Sequence, residues 1–251
     1  MAGAYSACSI WEGAIRQISR FREESRIFFR LGPGTPFAVR RGELEGRLDT
    51  GYYLPRFREN IRQLRTAFPK IEPLSNYADV ICGPFGSAIK FDDYIPAPGV
   101  PLLRISNLTD DGRIDESNLV FVRSELAAKL KRTQVQPGDL VISQRGTLGI
   151  PAVVPSTYTS WCISANLIAI KQPSIDRGFV QAFLSSRPGA LQLERSQSGQ
   201  VQSKITTGDV ARVLIPKLDN DETLVRDLER ARSTRRRKLK EADELLSLLS
   251  G

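Results

Sequence analysis

The hydrophobic positions of residues 54–68 repeat with the spacing of an amphipathic helix. Apolar side chains recur at alternating steps of three and four, with Arg and Glu between them, at Leu54, Phe57, Ile61, Leu64 and Phe68. This spacing places all five on one face, which is buried when the helix packs. A related pattern lies upstream, before the turn signal Gly32-Pro33-Gly34. We therefore predict a helical N-terminal segment over residues 1–69.

From Leu74 onward the pattern changes to short apolar runs separated by Gly, Pro, Asn and Asp. Runs rich in β-branched residues between such breakers are typical of strands. The predicted strands are Val80–Cys82, Val100–Ile105, Leu119–Val122, Leu140–Ser143, Ala152–Val154, Asn166–Ile170 and Val213–Ile215. Short helices are predicted at Ser124–Lys131 and Asp176–Ser186, which both begin with a capping residue. Short strands mixed with helices, without a regular β-α-β alternation, indicate an α+β domain over residues 70–217.

Residues 218–251 are predicted to form one long, coiled-coil-like helix. The stretch from Asp219 to Leu249 contains no Gly or Pro and is rich in Leu, Arg, Glu and Ala. At about 1.5 Å per residue, such a helix is about 45 Å long. Its apolar seam would consist of Val225, Leu228, Leu239, Ala242, Leu246 and Leu249. The helix either folds back on its own domain or, as its length favours, packs against a helix of a second copy or of another subunit.

The composition excludes several kinds of active site. The chain has 251 residues and no histidine, so Ser-His-Asp triads, Cys-His pairs and histidine-ligated metals are ruled out. The three cysteines, Cys8, Cys82 and Cys162, are far apart and form no Cys-x-x-Cys pair. The longest uncharged stretch, residues 146–170, contains two prolines and many polar side chains, so we expect no membrane span. These features predict a reduced, cytoplasmic protein.

Signatures of DNA-modifying enzymes are missing from the sequence. It contains no Pro-Pro dipeptide of the kind that amino-methyltransferases present to a base, and no lysine preceded two positions earlier by an acid, as in common metal-dependent nucleases. It also has no phosphate-binding glycine loop that ends in Lys-Ser or Lys-Thr. The pairs Asp92-Asp93 and Asp110-Asp111 are more typical of turns than of a metal site. We therefore expect no catalysis, no cofactor and no metal.

The formal net charge of +8 favours a polyanionic partner such as nucleic acid. The excess is spread along the chain, since residues 70–218 hold 16 basic and 13 acidic residues. A net charge of this size on the predicted domain is modest for a DNA-binding protein.

Four polar or glycine-marked segments follow predicted strands or precede one. They are Gly83-Pro-Phe-Gly-Ser-Ala-Ile-Lys90, Pro101-Leu-Leu-Arg-Ile-Ser-Asn-Leu108, Pro137-Gly-Asp-Leu-Val-Ile-Ser-Gln-Arg-Gly-Thr-Leu-Gly149 and Ser198-Gly-Gln-Val-Gln-Ser-Lys-Ile205. Together and in this order, they resemble the target recognition domain of the specificity subunit of type I restriction-modification systems. The resemblance covers about residues 74–216, and the long helix resembles the family's helical spacer. Arg47-Leu-Asp-Thr-Gly-Tyr-Tyr-Leu-Pro55 is similar to the segment before some recognition domains.

The resemblance implies a non-catalytic subunit that reads one half of a split target in double-stranded DNA. It also implies that the helix sets the distance to the other half and docks methyltransferase subunits, with or without a restriction subunit. Full-length members carry two recognition domains and two spacers, whereas this chain shows one of each. A half-subunit of this kind can read both arms of a symmetric site by forming a homodimer through its helix.

Candidates for DNA contact are the side chains in these segments that suit bases or phosphates. Arg and Lys pair with guanine, Asn and Gln pair with adenine, and hydroxyls serve either group. The candidates are Gln144, Arg145, Thr147, Gln200, Gln202 and Lys204, followed by Ser87, Lys90, Arg104 and Asn107. Asn107 can instead be a turn former at a strand end, and Arg104 can instead pair with a carboxylate.

Two other functions remain open at this level. One is an assembly adaptor whose domain no longer reads DNA and whose helix only recruits partners, which the modest charge of residues 70–218 allows. The other is a nuclease or methyltransferase with an unrecognised site.

Overall fold

The computed structural model describes residues 26–29, 37–46, 48–84, 88–145, 151–197 and 204–217, together with six positions between 230 and 241. The chain divides into two compact units, residues 1–59 and residues 60–251. Among the described residues, no helix combines the length and the apolar character needed to cross a bilayer.

The first unit contains a β-ladder where the sequence predicted only helix. Strand β1 (Arg26–Phe29) pairs antiparallel with β2 (Phe37–Arg40). The helical prediction for this part of residues 1–69 is wrong, because most residues of the two segments are aromatic or β-branched, the types that favour strands: Ile27, Phe28, Phe29, Phe37 and Val39. Val39 is fully buried and packs with Tyr52 and Tyr53 in a small core.

Helix α1 (Pro55–Ala67) confirms the first helix prediction to within one residue at each end. Pro55 occupies the first helical position, where its missing N–H costs nothing. Leu64 is buried in the core of the second unit, and Ile61 and Phe68 pack against the same core.

The second unit is built on two four-stranded sheets, which confirm the α+β prediction. The first sheet is antiparallel throughout and has the order β4 (Asp79–Cys82), β11 (Leu167–Lys171), β8 (Leu140–Ser143) and β9 (Ala152–Val153). The second has the order β6 (Val120–Val122), β5 (Val100–Leu103), β10 (Trp161–Ile163) and β7 (Gln134–Val135), in which only β5 and β10 are parallel. A two-stranded ladder joins β3 (Ile71–Pro73) to β12 (Leu214–Pro216).

Among the described elements with defined ends, five α-helices belong wholly or partly to this unit. Besides α1, they are α2 (Ser124–Lys129), α3 (Arg177–Ser185), α4 (Arg187–Gln197) and α5 (Thr207–Ala211). The predicted helices are thus present as α2 and α3. Asp176 caps α3 by accepting a hydrogen bond of 2.6 Å from the Phe179 N–H.

The first sheet is buried on both faces. Along β8 and β11, alternate side chains such as Ile142 and Ile168 face a core formed with the helices. The intervening side chains, such as Val141 and Ala169, face a second core that contains Trp161 and Leu103 of the other sheet. Burial on both faces explains why these strands read as continuous apolar runs and not as alternating ones.

The predicted long helix falls mostly outside the described residues. The six described positions, Arg230, Ser233, Thr234, Arg237, Lys238 and Glu241, are all helical. Arg237 Nε lies 3.6 Å from Glu241 Oε1, one helical turn further along. The predicted seam residues Val225, Leu228, Leu239, Ala242, Leu246 and Leu249 lie outside the described residues.

Candidate nucleic-acid interface

The three-residue turn Ser164–Asn166 joins the two sheets of the second unit, because it connects β10 to β11. The Ser164 N–H donates a hydrogen bond of 2.9 Å to the Leu103 carbonyl oxygen at the end of β5. The Leu167 N–H closes the turn with a bond of 3.1 Å to the Ser164 carbonyl oxygen. The turn therefore touches the second of the four sequence segments, Pro101–Leu108.

The first segment reaches the same turn through a close backbone approach. The Gly83 N–H donates to the Leu167 carbonyl oxygen over 2.9 Å. A Cβ atom on Gly83 would overlap the carbonyl group of Ser164, so this position needs a glycine for space.

The third segment contacts the turn at Asn166, and the fourth segment pairs with the third. The Gln144 N–H donates to the Asn166 carbonyl oxygen over 2.8 Å, and the Gln144 carbonyl accepts from the Ile205 N–H over 3.0 Å. Arg145 and Lys204 then form an antiparallel β-bridge. Segments that are separated by tens of residues in sequence are thus joined by main-chain hydrogen bonds.

We call this region the convergent edge and define it as Gly83, Arg104, Gln144–Arg145, Ser164–Asn166 and Lys204–Ile205. The strand register explains the convergence. Cys82 pairs with Ile168, Ser143 pairs with Leu167, and Ile163 pairs with Leu103. The ends of β4, β5, β8 and β10 and the beginning of β11 therefore lie together.

Arg145 and Lys204 are the predicted DNA contacts that the structure brings together. Arg145 is exposed and Lys204 is half-buried. Neither side chain forms an ion pair or hydrogen bond with another described residue. Like charges directly opposite each other across strands are destabilising, so an anion that bound here would reduce the repulsion between the two side chains.

Gln144 lies in the same strand extension, but its side chain is only 7 % exposed. Its main-chain groups carry the link between the third and fourth segments described above. We therefore assign Gln144 to the support of the convergent edge, whereas its neighbour Arg145 extends into solvent.

Arg104 and Asn107 shape the end of β5. Asn107 is 1 % exposed, accepts from the Arg104 N–H over 3.0 Å and donates to the Asp115 carbonyl over 3.2 Å. Arg104 Nη2 donates to the Asn118 carbonyl oxygen over 2.7 Å. The turn-forming alternative for Asn107 agrees with these contacts, and the partner of Arg104 is a carbonyl group and not a carboxylate.

The remaining predicted contacts are spread between an exposed loop and undescribed positions. Lys90 is exposed, and its N–H donates to Asp93 Oδ2 over 2.8 Å. The other candidates, Ser87, Thr147, Gln200 and Gln202, lie outside the described residues.

Carboxylates of the two acidic pairs hold local turns. Asp93 accepts from Lys90 as above. Asp111 accepts bonds of 2.6 Å from the Thr109 hydroxyl and from Arg113 Nε. Partial burial opposes ionisation of Asp111, but these two hydrogen bonds outweigh it and lower the pKa of the carboxyl group. Within the described ranges, no group of three His, Cys, Asp or Glu side chains could hold a metal ion.

Asn166 is an exposed polar residue of the convergent edge that is absent from the DNA contacts predicted from the sequence. The sequence pattern predicts it as the first residue of a strand, but it lies in the turn, is exposed, and makes no side-chain hydrogen bond with the described residues. The sequence contains a signal for this position, because a polar residue just before the buried run Leu167–Ile170 marks the beginning of the strand.

Comparisons with solved structures define the class of fold. The structure is similar to a chain from a study of complex assembly and conformational transition in a type I restriction-modification system, with a TM-score of 0.52, 18% identity and coverage of 98% of this chain and 55% of that one. It is also similar to the HsdS subunit from Thermoanaerobacter tengcongensis, with a TM-score of 0.50, 17% identity and coverage of 94% and 51%. The resemblance expected from the four sequence segments is therefore confirmed at the level of the fold.

A third similar structure is that of the type IIG restriction endonuclease BpuSI. The TM-score is 0.53 at 15% identity, over 87% of this chain and 32% of that one. The chain thus spans about half of the length of the first two proteins and about a third of the length of BpuSI. No protein-family model matches the chain, and no curated protein sequence matches it.

Proposed function

We propose that this chain is a sequence-specific DNA-binding subunit of a type I-like restriction-modification complex. It reads one half of a bipartite target and is not itself catalytic. The observation that carries the proposal is the convergent edge, where four segments meet and place Arg145 opposite Lys204 without a neutralising carboxylate among the described residues. The fold shared with HsdS and with a chain of a type I system supports the same conclusion.

The side chains of the convergent edge suit two tasks, contact with DNA phosphates and recognition of bases. Lys204 is suited to a phosphate, whereas the fork of Arg145 is suited to the O6 and N7 atoms of guanine. Asn166, whose carbonyl oxygen accepts a hydrogen bond from the Gln144 N–H, offers an exposed side-chain amide that matches adenine. Main-chain hydrogen bonds fix the backbone at these positions, which limits the entropy lost when DNA binds.

The proposal extends to partners in solution. Residues 218–251 would form the spacer helix that docks methyltransferase subunits, with a restriction subunit in complexes that also cleave, or that pairs two copies of the chain. Co-purification with candidate methyltransferase subunits, followed by a measurement of particle mass, tests this part. A chain that stays monomeric with every candidate subunit would contradict it.

A selection experiment tests the reading function. Duplexes with a randomised core are incubated with the purified chain, and the bound fraction is sequenced. We expect a short set of enriched base positions for the wild type and loss of that enrichment for Arg145→Ala/Lys204→Ala. The matched control is Arg123→Ala/Lys171→Ala, which removes two positive charges at the opposite ends of the two sheets. Equal binding of the wild type to all sequences would reject the proposal.

The adaptor function keeps one argument in its favour, the net charge of only +3 over residues 70–218. It predicts that the double substitution Arg145→Ala/Lys204→Ala leaves DNA binding unchanged and that partner docking persists. The same selection experiment therefore separates the two functions.

A further inference from the structure

A second cationic surface lies between α2 and β7. Residues Lys131–Thr133 form a single 3-10 turn, which we call the basic turn, and Lys129 ends α2 just before it. An open cleft of about 490 Å³ is lined by Lys129, Leu130, Lys131, Arg132 and Thr133. The side chains of Lys131 and Arg132 are exposed, and neither forms an ion pair with the described residues.

Three other cations of the second unit are neutralised by nearby carboxylates. Lys70 pairs with Glu72 over 2.7 Å, Arg113 pairs with Asp111 over 2.6 Å, and Arg212 pairs with Asp209 over 2.9 Å. The basic turn differs from these three sites because Lys129, Lys131 and Arg132 adjoin one cleft without a carboxylate partner among the described residues. Mutual repulsion of adjacent cations is a cost that an anionic ligand removes.

A structural explanation accounts for Lys129 but not for its neighbours. A cation in the last turn of a helix interacts favourably with the helix dipole, so Lys129 stabilises α2 without any ligand. Lys131 and Arg132 lie beyond that last turn. The dipole of α2 therefore does not account for the charges of Lys131 and Arg132.

The backbone of the basic turn is held firmly in place. The Thr133 N–H and hydroxyl both donate to the Leu130 carbonyl oxygen, over 2.8 and 2.9 Å. Gln134 Nε2 donates to the Ala127 carbonyl oxygen over 2.7 Å, which ties β7 to α2. Lys131 and Arg132 thus extend from an ordered support, as a preformed anion site requires.

The strand register places the basic turn at the same end of its sheet as the convergent edge. Gln134 pairs with Cys162 and Val135 pairs with Trp161, so β7 begins where β10 ends. On the other side of β10, Ile163 pairs with Leu103, the last residue of β5. The basic turn and Arg104 therefore flank the point where β10 runs into the Ser164–Asn166 turn.

We propose that Lys131 and Arg132 bind the phosphate backbone of the duplex whose bases the convergent edge reads. This inference rests on the proposed function and adds a contact that is independent of sequence. Lys and Arg side chains supply most phosphate contacts in protein–DNA complexes, and such contacts set affinity and register but not base preference.

The test compares two duplexes in a salt series. The full chain is titrated with a duplex from the selection experiment and with a scrambled duplex of equal length, between 50 and 200 mM salt. We expect Lys131→Ala/Arg132→Ala to weaken binding to both duplexes by the same factor and to lower the slope of log affinity against log salt by about 2. The loss at 50 mM should then exceed the loss at 200 mM roughly tenfold.

Two controls make the result specific. The charge-matched variant Arg123→Ala/Lys171→Ala should keep the wild-type slope, because Arg123 and Lys171 lie at the other ends of their sheets. The swapped variant Lys131→Arg/Arg132→Lys keeps both charges and should restore binding, which separates a charge effect from a folding defect.

Each alternative outcome has a distinct meaning. Equal losses in the two alanine pairs would show a bulk charge effect and overturn the inference. A changed ratio between the two duplexes would mean that the basic turn reads bases, which also overturns it. If the wild type binds DNA and Lys131→Ala/Arg132→Ala binds it equally well, this inference alone is overturned. If the wild type binds neither duplex, the proposed function is overturned as well.

Discussion

Arg145 and Lys204 lie opposite each other as antiparallel partners, although both carry a positive charge. The bridge follows directly from the hydrogen bond between the Gln144 carbonyl and the Ile205 N–H, which aligns the next residue pair. Cross-strand like charges lower stability, so this arrangement is expected where an anion binds. It links two segments that are 59 residues apart in sequence, and neither segment alone contains the site.

Replacing Lys204 with Glu should weaken DNA binding and raise the stability of the fold. In Lys204→Glu an opposite charge would face Arg145, and we expect the free energy of unfolding to rise by about 0.2–1 kcal/mol. DNA affinity should fall at the same time, because a carboxylate repels phosphate. Urea unfolding and a binding titration measure the two effects. Lys204→Gln, which removes the charge without a new pair, should lie between wild type and Lys204→Glu in both. Unchanged stability and affinity in Lys204→Glu would contradict an electrostatic role.

Asn166 should determine a base preference. If its exposed amide pairs with adenine, Asn166→Ala should abolish enrichment at one position of the selected sequence, with a loss of discrimination of about 1–3 kcal/mol. Asn166→Asp should shift that position away from adenine, because a carboxylate accepts from cytosine and cannot donate. The thermal midpoint should stay near that of the wild type, since the side chain is exposed. An unaltered preference in both variants would remove Asn166 from the site.

Gly83 should be intolerant of any side chain. Even alanine would force its Cβ against the Ser164 carbonyl group, which is backbone and cannot rotate away. We expect Gly83→Ala to cost about 1–3 kcal/mol, as overpacking does, and to weaken DNA binding through the displaced turn. Thermal unfolding measures the first effect. Gly208→Ala is the matched control, because its Cβ would meet only side-chain atoms at 3.4 Å or more within α5. It should be neutral or stabilising by up to about 1 kcal/mol.

Local patterns were sufficient for the elements with their own periodicity or caps. Helix α1 has a clear hydrophobic stripe, and α3 has the Asp176 cap, so both could be predicted from sequence. The runs that became β8 and β11 were found because burial on both faces makes them continuously apolar. Helix α5 was missed although Thr206 and Asp209 form a capping box, a signal that the sequence does contain.

Tertiary contacts decide the elements that the sequence analysis did not find. Pro188 and Gly189 are residue types that disfavour the interior of a helix, yet both lie in the first turn of α4, where a Cβ on Gly189 would overlap the Phe183 carbonyl. The three-residue strand β10 exists because it pairs with β5 and β7, which are distant in sequence. The convergent edge depends on this pairing. The sequence could therefore nominate Arg145 and Lys204 separately but could not show that they are neighbours.

Asn107 should contribute to stability more than to base reading. It is almost fully buried, and both ends of its amide are hydrogen-bonded to main-chain groups. Asn107→Leu would leave the Arg104 N–H and the Asp115 carbonyl without these partners, at a cost of about 1–3 kcal/mol. Chemical denaturation measures the loss. Sequence preference, measured well below the unfolding midpoint, should keep its pattern. A selective change at one base position with normal stability would instead restore Asn107 as a direct contact.

The pair Glu72 and Tyr77 should give the stability of the second unit a dependence on pH at both extremes. Hydrogen bonds from Lys70 and then from Tyr77 lower the pKa of Glu72 from 4.5 to about 2. A carboxylate with a lowered pKa stabilises the fold above its unfolded pKa, so this contribution should disappear as the pH falls from about 4.5 to 2.

Burial, followed by the hydrogen bond of 2.6 Å to Glu72, raises the pKa of Tyr77 from 10.0 to about 12. The contribution of the neutral phenol should therefore be present below pH 10 and disappear between pH 10 and 12. Urea midpoints across both windows provide the measurement. Glu72→Gln should flatten the acid window, Tyr77→Phe should flatten the alkaline window, and an unchanged profile in either variant would show that the hydrogen bond does not persist in solution.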